Sequence, residues 1–370
     1  MMAKLGDVFP LVRNGVSIRQ TDGATGIPIT RIETISNREI DRNKFGYANI
    51  IDGSKYKNYI LQDGDILMSH INSEKHLGKV ALYRKQGNEQ IIHGMNLLML
   101  RANSSVLFPP YATYFFETPA FLMQIQKITK KSVNQASFTV TALKEIEIPL
   151  PPLDEQCRIA AVLDKVGGLI AKRREQLDKL DELVKARFVE MFGDPINNTK
   201  GLPTTPLGEI CYLKAGVTTA SDEIHSQSKE YSVPCYGGNG IRGYVKEATQ
   251  RGTYPIIGRQ GALCGNVQLA IGEFHATEHA VLVSPIIKTN VIWVYYLLKF
   301  MDLYRYHTGA AQPGLAVKTL NMVEIPCADI GLQNEFATFA EQVEKSKLTI
   351  QQSLDKLEVL KKALMQQYFG

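Results

Sequence analysis

The clearest pattern along the chain is a pair of long apolar seams, one central and one at the end. In each seam apolar residues recur at alternating spacings of three and four, which predicts amphipathic helices over residues 153–193 and 330–370. At 1.5 Å per residue, each helix would be roughly 60 Å long. Such a narrow seam predicts a coiled-coil-like partner helix; the alternative is that each helix packs on its own neighbouring globular segment. The positions assigned to a helix-pair interface are Ile159, Leu163, Val166, Ile170, Leu177, Leu180, Val184, Phe336, Val343, Ile350, Leu354, Leu357 and Leu364.

The chain between and before the seams has a different pattern, with short β-like runs and many Tyr and Gly residues. Strand-like runs cover residues 63–70, 79–84, 252–259 and 279–285, and helical patterns cover 111–128 and 291–301. We therefore predict two mixed α/β globular segments, residues 1–152 and 207–329. Residues 194–206 are rich in Pro, Thr and Asn and are interpreted as a linker.

An internal repeat relates the two halves. Residues 135–193 align without a gap onto 312–370 at a constant offset of 177, and 18 of the 59 positions are identical. The matches include Gln156 with Gln333 and the triplet EIP, at residues 147–149 and 324–326. The simplest arrangement of such a duplication is a pseudo-two-fold one, in which the two helices run antiparallel and each end carries one globular domain.

Composition narrows the class of protein. The five cysteines are scattered without a CxxC pair, which argues against a zinc ribbon or a disulfide framework. No apolar run approaches the roughly 20 residues that span a bilayer, and no signal-peptide core is evident, so we expect a cytoplasmic protein. The net charge of +5 lies in residues 1–150, with 18 Lys and Arg against 13 Asp and Glu. This local excess is compatible with polyanion binding.

Three stretches resemble catalytic motifs, and each lacks a required feature. FPPY, residues 108–111, has Phe108 where an amino-methyltransferase loop needs a polar residue. HATEH, residues 275–279, matches an inverted zinc-protease motif, but its flanks predict a strand or turn, which would hold the two histidines too far apart. GGNG, residues 237–240, lacks the remainder of a phosphate-binding loop. We therefore expect no catalytic site, no metal and no cofactor in this chain.

The order of segments resembles the specificity subunits of type I restriction–modification systems. The most specific stretch is ALKEIEIPLPPLDEQCRIAAVLD, residues 142–164, which is similar to the start of that family's central helical region; residues 177–195 are similar to its end. Residues 64–83, 236–245 and 256–267 are similar to the body of the family's recognition domains.

The resemblance implies two target-recognition domains joined by two long antiparallel coiled-coil helices. Each domain would read half of a bipartite double-stranded DNA site, and the helices would fix the gap between the halves. They would also dock two copies of an adenine methyltransferase subunit, and a motor–endonuclease subunit can join. S-adenosylmethionine and ATP with Mg²⁺ would belong to those partners, in a system that defends against phage.

Major-groove contacts favour Arg, Lys, Asn and Gln on loops held by a rigid frame. For the first domain we expect DNA contacts from Ser69, His70, Asn72, Ser73, Lys79, Lys130, Lys131 and Asn134. For the second we expect them from Tyr236, Asn239, Arg242, Arg259 and Gln260. Two alternatives stay open: a stand-alone modification or defence adaptor with the same fold, and a helical scaffold that assembles proteins without reading DNA.

Overall fold

The computed structural model describes residues 1–132, 135–261, 263–309 and 313–370, with residues 36–38 described by their backbone alone. It divides into two compact units. Unit 1 comprises Met1–Lys172 with Leu354–Gly370, and unit 2 comprises Arg173–Ser353. Among the described residues no helix is both long enough and apolar enough to cross a bilayer.

Unit 1 is a mixed α/β unit that begins with short strands and ends in a long helix. Its strands are β1 (Met2–Lys4), β2 (Leu11–Asn14), β3 (Ile66–Ser69), β4 (Ile71–Asn72), β5 (Val80–Leu82), β6 (Leu97–Arg101), β7 (Lys130–Lys131), β8 (Ala136–Ser137) and β9 (Glu147–Pro149). Its helices are α1 (Leu5–Val8), α2 (Pro109–Phe115), α3 (Pro119–Ile128), α4 (Val140–Lys144) and the long α5 (Leu153–Phe192), which continues into unit 2. Short 3₁₀ helices include Ile32–Arg38 and Glu74–His76.

The described strands of unit 1 form three antiparallel sheets. The largest has the order β2-β6-β3-β5, and smaller ones have the orders β4-β8-β7 and β1-β9. Strands β3 and β6 lie inside the largest sheet, and Ile66–Ser69 is buried on both faces, which explains the apolar run at residues 66–68. The main core lies between this sheet and helices α2 and α3, around Phe115, Phe116 and Phe121.

Unit 2 is also a mixed α/β unit and contains a larger sheet than unit 1. Its strands are β10 (Thr204–Pro206), β11 (Cys211–Ala215), β12 (Val233–Gly237), β13 (Gly240–Val245), β14 (Gln250–Gly258), β15 (Val267–Ala276), β16 (Ala280–Pro285) and β17 (Glu324–Pro326). Its helices are α6 (Leu207–Ile210), α7 (Val291–Phe300), α8 (Val317–Asn321) and the long α9 (Ile330–Phe369), which continues into unit 1. Six strands pair in the order β11-β16-β14-β15-β12-β13, and all pairs are antiparallel except β12 with β15.

The internal repeat is visible in the pairing of short strands. In unit 1 the EIP triplet forms β9 and pairs with β1, directly before helix α1. In unit 2 the second EIP triplet forms β17 and pairs in the same way with β10, directly before helix α6. In each unit, the short strand that precedes the long helix thus pairs with the strand that precedes the first short helix of that unit.

The predicted interface positions of both long helices are buried or half-buried. At the start of α5, Ile159 and Leu163 join the core of unit 1, which also contains Phe369 from the end of α9. In unit 2, Phe336 and Val343 share one core with Val184 of α5. Each helix therefore packs on its own globular segment at its start, as one of the two interpretations predicts, and the end of the other helix contributes to the same core.

Two local predictions differ from the structure. The helical pattern over residues 111–128 is divided into α2 and α3, because Thr118 caps a new helix by accepting the N–H of Phe121 at 3.1 Å and Pro119 cannot continue the preceding turn. The end of the segment interpreted as a linker, Thr204–Pro206, forms strand β10, because the non-local EIP triplet supplies its partner. The structure confirms the strands expected near residues 66, 80, 254 and 282, and it confirms the helix that begins at Val291.

Candidate nucleic-acid interface

The connection between β3 and β5 in unit 1 borders a cleft of about 360 Å³. Three residues expected to contact DNA, namely Ser69, Asn72 and Lys79, lie together in its lining. The polar part of the lining is completed by Glu33 and His76, which were not predicted from the sequence. Glu33 lies far away in sequence, on the 3₁₀ helix Ile32–Arg38, so no local pattern connects it with this loop.

Two of the expected residues in this loop are buried. Ser69 is 2% exposed, and its hydroxyl accepts a hydrogen bond from the Asn72 side chain at 3.3 Å. His70 is 7% exposed and packs edge-on against Phe138, and its Nδ1 has no hydrogen-bond partner among the described residues. Burial lowers the pKa of His70 to about 4, so the imidazole is neutral at pH 7. Ser73 is exposed, and its backbone N–H donates to the Asn72 side chain at 2.7 Å.

The basic residues Lys130 and Lys131 form the exposed edge strand β7, next to β8. Since β8 also pairs with β4, these lysines belong to the same small sheet as Asn72. The Lys131 ammonium contacts the Glu74 carboxylate at 3.0 Å, and both side chains are more than half exposed. Asn134, also expected to contact DNA, lies outside the described residues.

Unit 2 has a cleft of about 480 Å³ between two hairpin ends. One is the turn between β12 and β13, which contains Asn239; the other is the connection between β14 and β15, which contains Gln260. Arg242 also lines this cleft, and its guanidinium donates to the Ser221 hydroxyl at 3.2 Å. The Asn239 side chain accepts a hydrogen bond from Asn266, which ties the two hairpin ends together.

The other two residues expected to read DNA in unit 2 are more enclosed. The Nε of Arg259 is buried and has no partner among the described residues. Tyr236 is half-buried and packs edge-on against Phe274 at 5.5 Å, and burial raises its pKa. Tyr236 therefore packs against the small core that contains Phe274. Leu263 and His279 line the cleft and were missed, although the nearby GGNG motif had marked the turn.

The HATEH stretch spans the end of β15 and the turn before β16, as predicted. His275 shares a hydrogen bond of 2.7 Å with the Thr219 hydroxyl, whereas the Glu278 carboxylate contacts His279 at 3.2 Å. Within the described ranges, no three His, Cys, Asp or Glu side chains are grouped so as to hold a metal ion.

Comparison with known proteins gives a consistent result. The family model described as "Type I restriction modification DNA specificity domain" matches residues 1–181 and 200–361. A putative type I restriction enzyme MjaX specificity subunit from Methanocaldococcus jannaschii is 40% identical over 207 residues, which cover 56% of this chain and 48% of that protein. The EcoprrI specificity subunit from Escherichia coli is 37% identical over 212 residues, covering 53% of this chain and 52% of that protein. The chain thus spans about half the length of these curated relatives.

A solved structure extends the comparison to the whole fold. The S subunit of a type I restriction–modification system from M. genitalium superposes with a TM-score of 0.66 at 17% sequence identity. The superposition covers 100% of this chain and 96% of that one. At this identity the likeness establishes the fold: two mixed α/β domains with two long helices.

Proposed function

Because this chain belongs to the family of type I restriction modification DNA specificity domains, we propose that it is the DNA-reading subunit of a type I restriction–modification complex. It recognises a bipartite DNA site and directs adenine methyltransferase subunits to that site, with no catalytic site of its own. The observation that carries this proposal is that each unit has a cleft beside a strand connection, and that the two clefts present different hydrogen-bonding side chains.

The clefts have the chemistry of base recognition. Asn72 and Lys79 line the first, and Asn239, Arg242 and Gln260 line the second. Side-chain amides make paired hydrogen bonds to adenine, and basic side chains bind the acceptor edge of guanine. Since the two sets differ, we infer that the two units read different half-sites and that the complete site is asymmetric.

Phosphate contacts would add affinity without sequence information. Lys130 and Lys131 are exposed on β7 and belong to the same sheet as Asn72. We propose that these two lysines contact the DNA backbone beside the first half-site.

We further propose that α5 and α9 pair as an antiparallel coiled coil that sets the gap between the half-sites. Two ion pairs inside unit 2 support this direction. Asp181 of α5 contacts Lys347 of α9 at 2.8 Å, and Arg187, further along α5, contacts Glu335, earlier in α9, also at 2.8 Å. The residue numbers of these contacts increase along α5 while they decrease along α9. Two neighbouring helices with such contacts run antiparallel. The duplication then gives a pseudo-two-fold arrangement.

The partners proposed for this chain are double-stranded DNA, two copies of an adenine methyltransferase subunit, and a motor–endonuclease subunit where one is encoded. S-adenosylmethionine would be bound by the methyltransferase subunits and ATP with Mg²⁺ by the motor subunit. We propose that this assembly works in the cytoplasm, where it has access to the host chromosome.

The test is a methylation map. The chain is co-expressed with the adenine methyltransferase encoded beside it, and host DNA is sequenced for methyladenine. We expect one bipartite motif that requires both proteins. Arg242→Ala should reduce methylation of that motif, whereas Arg251→Ala, a matched change at an exposed arginine paired with Glu273, should leave it intact.

A direct binding measurement separates a DNA reader from a protein scaffold. Binding of the complex to a duplex carrying the motif should weaken steeply with salt, because phosphate contacts release counterions. A stable complex that neither methylates DNA in a chain-dependent way nor binds DNA with a salt-dependent affinity would overturn the proposal in favour of a scaffold.

A further inference from the structure

The strand connection beside each cleft is built on the same frame in both units. In unit 1 the N–H of Ser69 donates to the Lys79 carbonyl, and the N–H of Gly78 donates to the Ser69 carbonyl, both at 2.9 Å. In unit 2 the N–H of Gly258 donates to the Asn266 carbonyl at 2.9 Å, and that of Gly265 donates to the Gly258 carbonyl at 2.7 Å. Ser69 and Gly258 are therefore equivalent, as are the closing glycines.

The closing glycines share a backbone conformation that other residues rarely adopt. Gly78 has φ of 73° and Gly265 has φ of 86°, in the left-handed region that favours glycine. A Cβ on Gly265 would also lie 2.5 Å from the backbone nitrogen of Tyr304. Both strand connections therefore end in a glycine with the same left-handed backbone conformation.

A second brace holds the start of each connection. The carbonyl of His70 accepts the N–H of Phe138 at 3.3 Å, and the carbonyl of Arg259 accepts the N–H of Leu315 at 2.8 Å. One residue further on, Ile71 pairs with Ser137 and Gln260 bridges to Gly314. The partners on the far side of these contacts are Ser137 and Phe138 in unit 1 and Gly314 and Leu315 in unit 2. They are separated by the offset of 177 that defines the sequence repeat. Hydrogen bonding and sequence therefore identify the same correspondence independently.

What lies between the braces has diverged. Loop 1, residues 70–77, has the sequence HINSEKHL, and loop 2, residues 259–264, has the sequence RQGALC. They differ in length and in chemistry, although the frame around them is retained. Each borders the cleft of its own unit, with Asn72 and His76 from loop 1 and Gln260 and Leu263 from loop 2.

We propose that loops 1 and 2 are the specificity-determining elements, each setting the bases that its own unit recognises. This inference rests on the proposed DNA-reading function and deepens it. In loop 2, the exposed Gln260 amide reads an adenine edge, and Leu263, 54% exposed, contacts a thymine methyl group. In loop 1, Asn72 and His76 read the bases by hydrogen bonds. A rigid frame around a variable loop meets the requirement that base contacts be held at fixed positions.

The test exchanges the loops within the full chain and leaves the closing glycines in place. Residues 70–77 are replaced by the sequence of residues 259–264, and a second variant carries the reciprocal replacement. Each variant is co-expressed with the methyltransferase and mapped for methyladenine. We expect each exchange to change one half of the bipartite motif while the other half stays as in the wild type. A folded variant whose motif is unchanged in both halves would overturn the inference.

Single substitutions keep the test decisive if an exchange does not fold. Gln260→Ala and Leu263→Ala should each lower discrimination by about tenfold at one base of one half-site. Replacing the contacted thymine by uracil should weaken the wild type and leave Leu263→Ala unaffected. The matched controls Gln227→Ala and Ile287→Ala change exposed residues of the same unit and should retain the wild-type motif.

The two failures are distinguishable. A wild-type chain that yields no bipartite motif would contradict the proposed function itself. Suppose instead that the wild type yields a normal motif. If the variants of Gln260 and Leu263 then keep the wild-type affinity, or lose the same affinity for every sequence, only the assignment of these loops would be contradicted.

Discussion

The side-chain oxygen of Gln156 accepts the backbone N–H of Phe108 at 2.9 Å, while its amide nitrogen donates to the carbonyls of Val106 and Pro151. Gln156 is fully buried at the start of α5. In unit 2, Gln333 occupies the matching place on α9, where it accepts the N–H of Asn290 at 2.9 Å and donates to the Ala328 carbonyl at 2.8 Å. The two glutamines thus tie the first turn of each long helix to the loop that precedes α2 or α7.

We expect Gln156→Ala to lower the free energy of unfolding of the unit by about 3 kcal/mol, because buried backbone groups lose their partners at roughly 1–3 kcal/mol each. Gln333→Ala should cost less, since its side chain makes fewer of these bonds. Urea titration followed by circular dichroism would measure both. Lys165→Ala, an exposed change on the same helix as Gln156, is the control, and a loss as large as that of Gln156→Ala would contradict the explanation.

Much of this arrangement follows from the sequence because local and repeated signals agree. Gln156 and Gln333 align in the repeat, the EIP triplets predict the strands before the long helices, and both seams predict the buried positions. Periodicity defines a helix whatever surrounds it, and the prolines before Leu153 define where the helix starts.

What the sequence did not reveal depends on contacts between distant residues. Thr204–Pro206 carries loop-like residues and becomes a strand only because Glu324–Pro326 pairs with it. Glu33 and His279 reach the clefts through the packing of separate elements. The correspondence of His70 with Arg259 is invisible in an alignment, since the loops differ in length, and emerges from the hydrogen bonds that brace them.

The end of α9 completes the core of unit 1. The Phe369 ring is buried and lies 5.1 Å from the Tyr111 ring and 6.2 Å from the Phe115 ring. We expect Phe369→Ala to destabilise the unit by about 3–5 kcal/mol, because the cavity removes these ring contacts. Tyr368→Ala, at the half-buried neighbouring position, should cost less in the same urea titration. Equal losses for both variants would show that the ring contacts of Phe369 contribute little.

Histidine burial predicts that the stability of unit 1 depends on pH. His93 is fully buried, and burial lowers its pKa from about 6.5 to about 4. Between these values the unfolded chain binds a proton that the folded unit excludes, so the free energy of unfolding falls as the pH drops from 6.5 towards 4. The loss from this residue would reach about 3 kcal/mol at pH 4.

Urea unfolding at several pH values from 7 to 4.5 tests this, with His93→Asn as the variant. We expect the variant to be less stable at pH 7 and to lose less of its stability on acidification. His225→Asn, at an exposed position in unit 2, should retain the wild-type slope. If His93→Asn also retains it, the protonation of another group controls the acid lability.

The contact between Glu74 and Lys131 yields a prediction in which a substitution strengthens binding. The carboxylate lies 3.0 Å from the ammonium, on the small sheet where Lys130 and Lys131 are proposed to contact DNA phosphates. Glu74→Gln removes a charge that repels phosphate and releases Lys131 for a phosphate contact. We expect a several-fold gain in DNA affinity at low salt and a salt slope steeper by about 0.9, the value for one added contact. The matched control is Glu145→Gln, which releases Lys4, a residue of the separate β1-β9 sheet, from a similar exposed pair at 2.6 Å. Fluorescence anisotropy with labelled duplex at two or more salt concentrations measures both quantities. A gain shared by Glu145→Gln would indicate a general effect of net charge, whereas a gain confined to Glu74→Gln would support phosphate binding at β7.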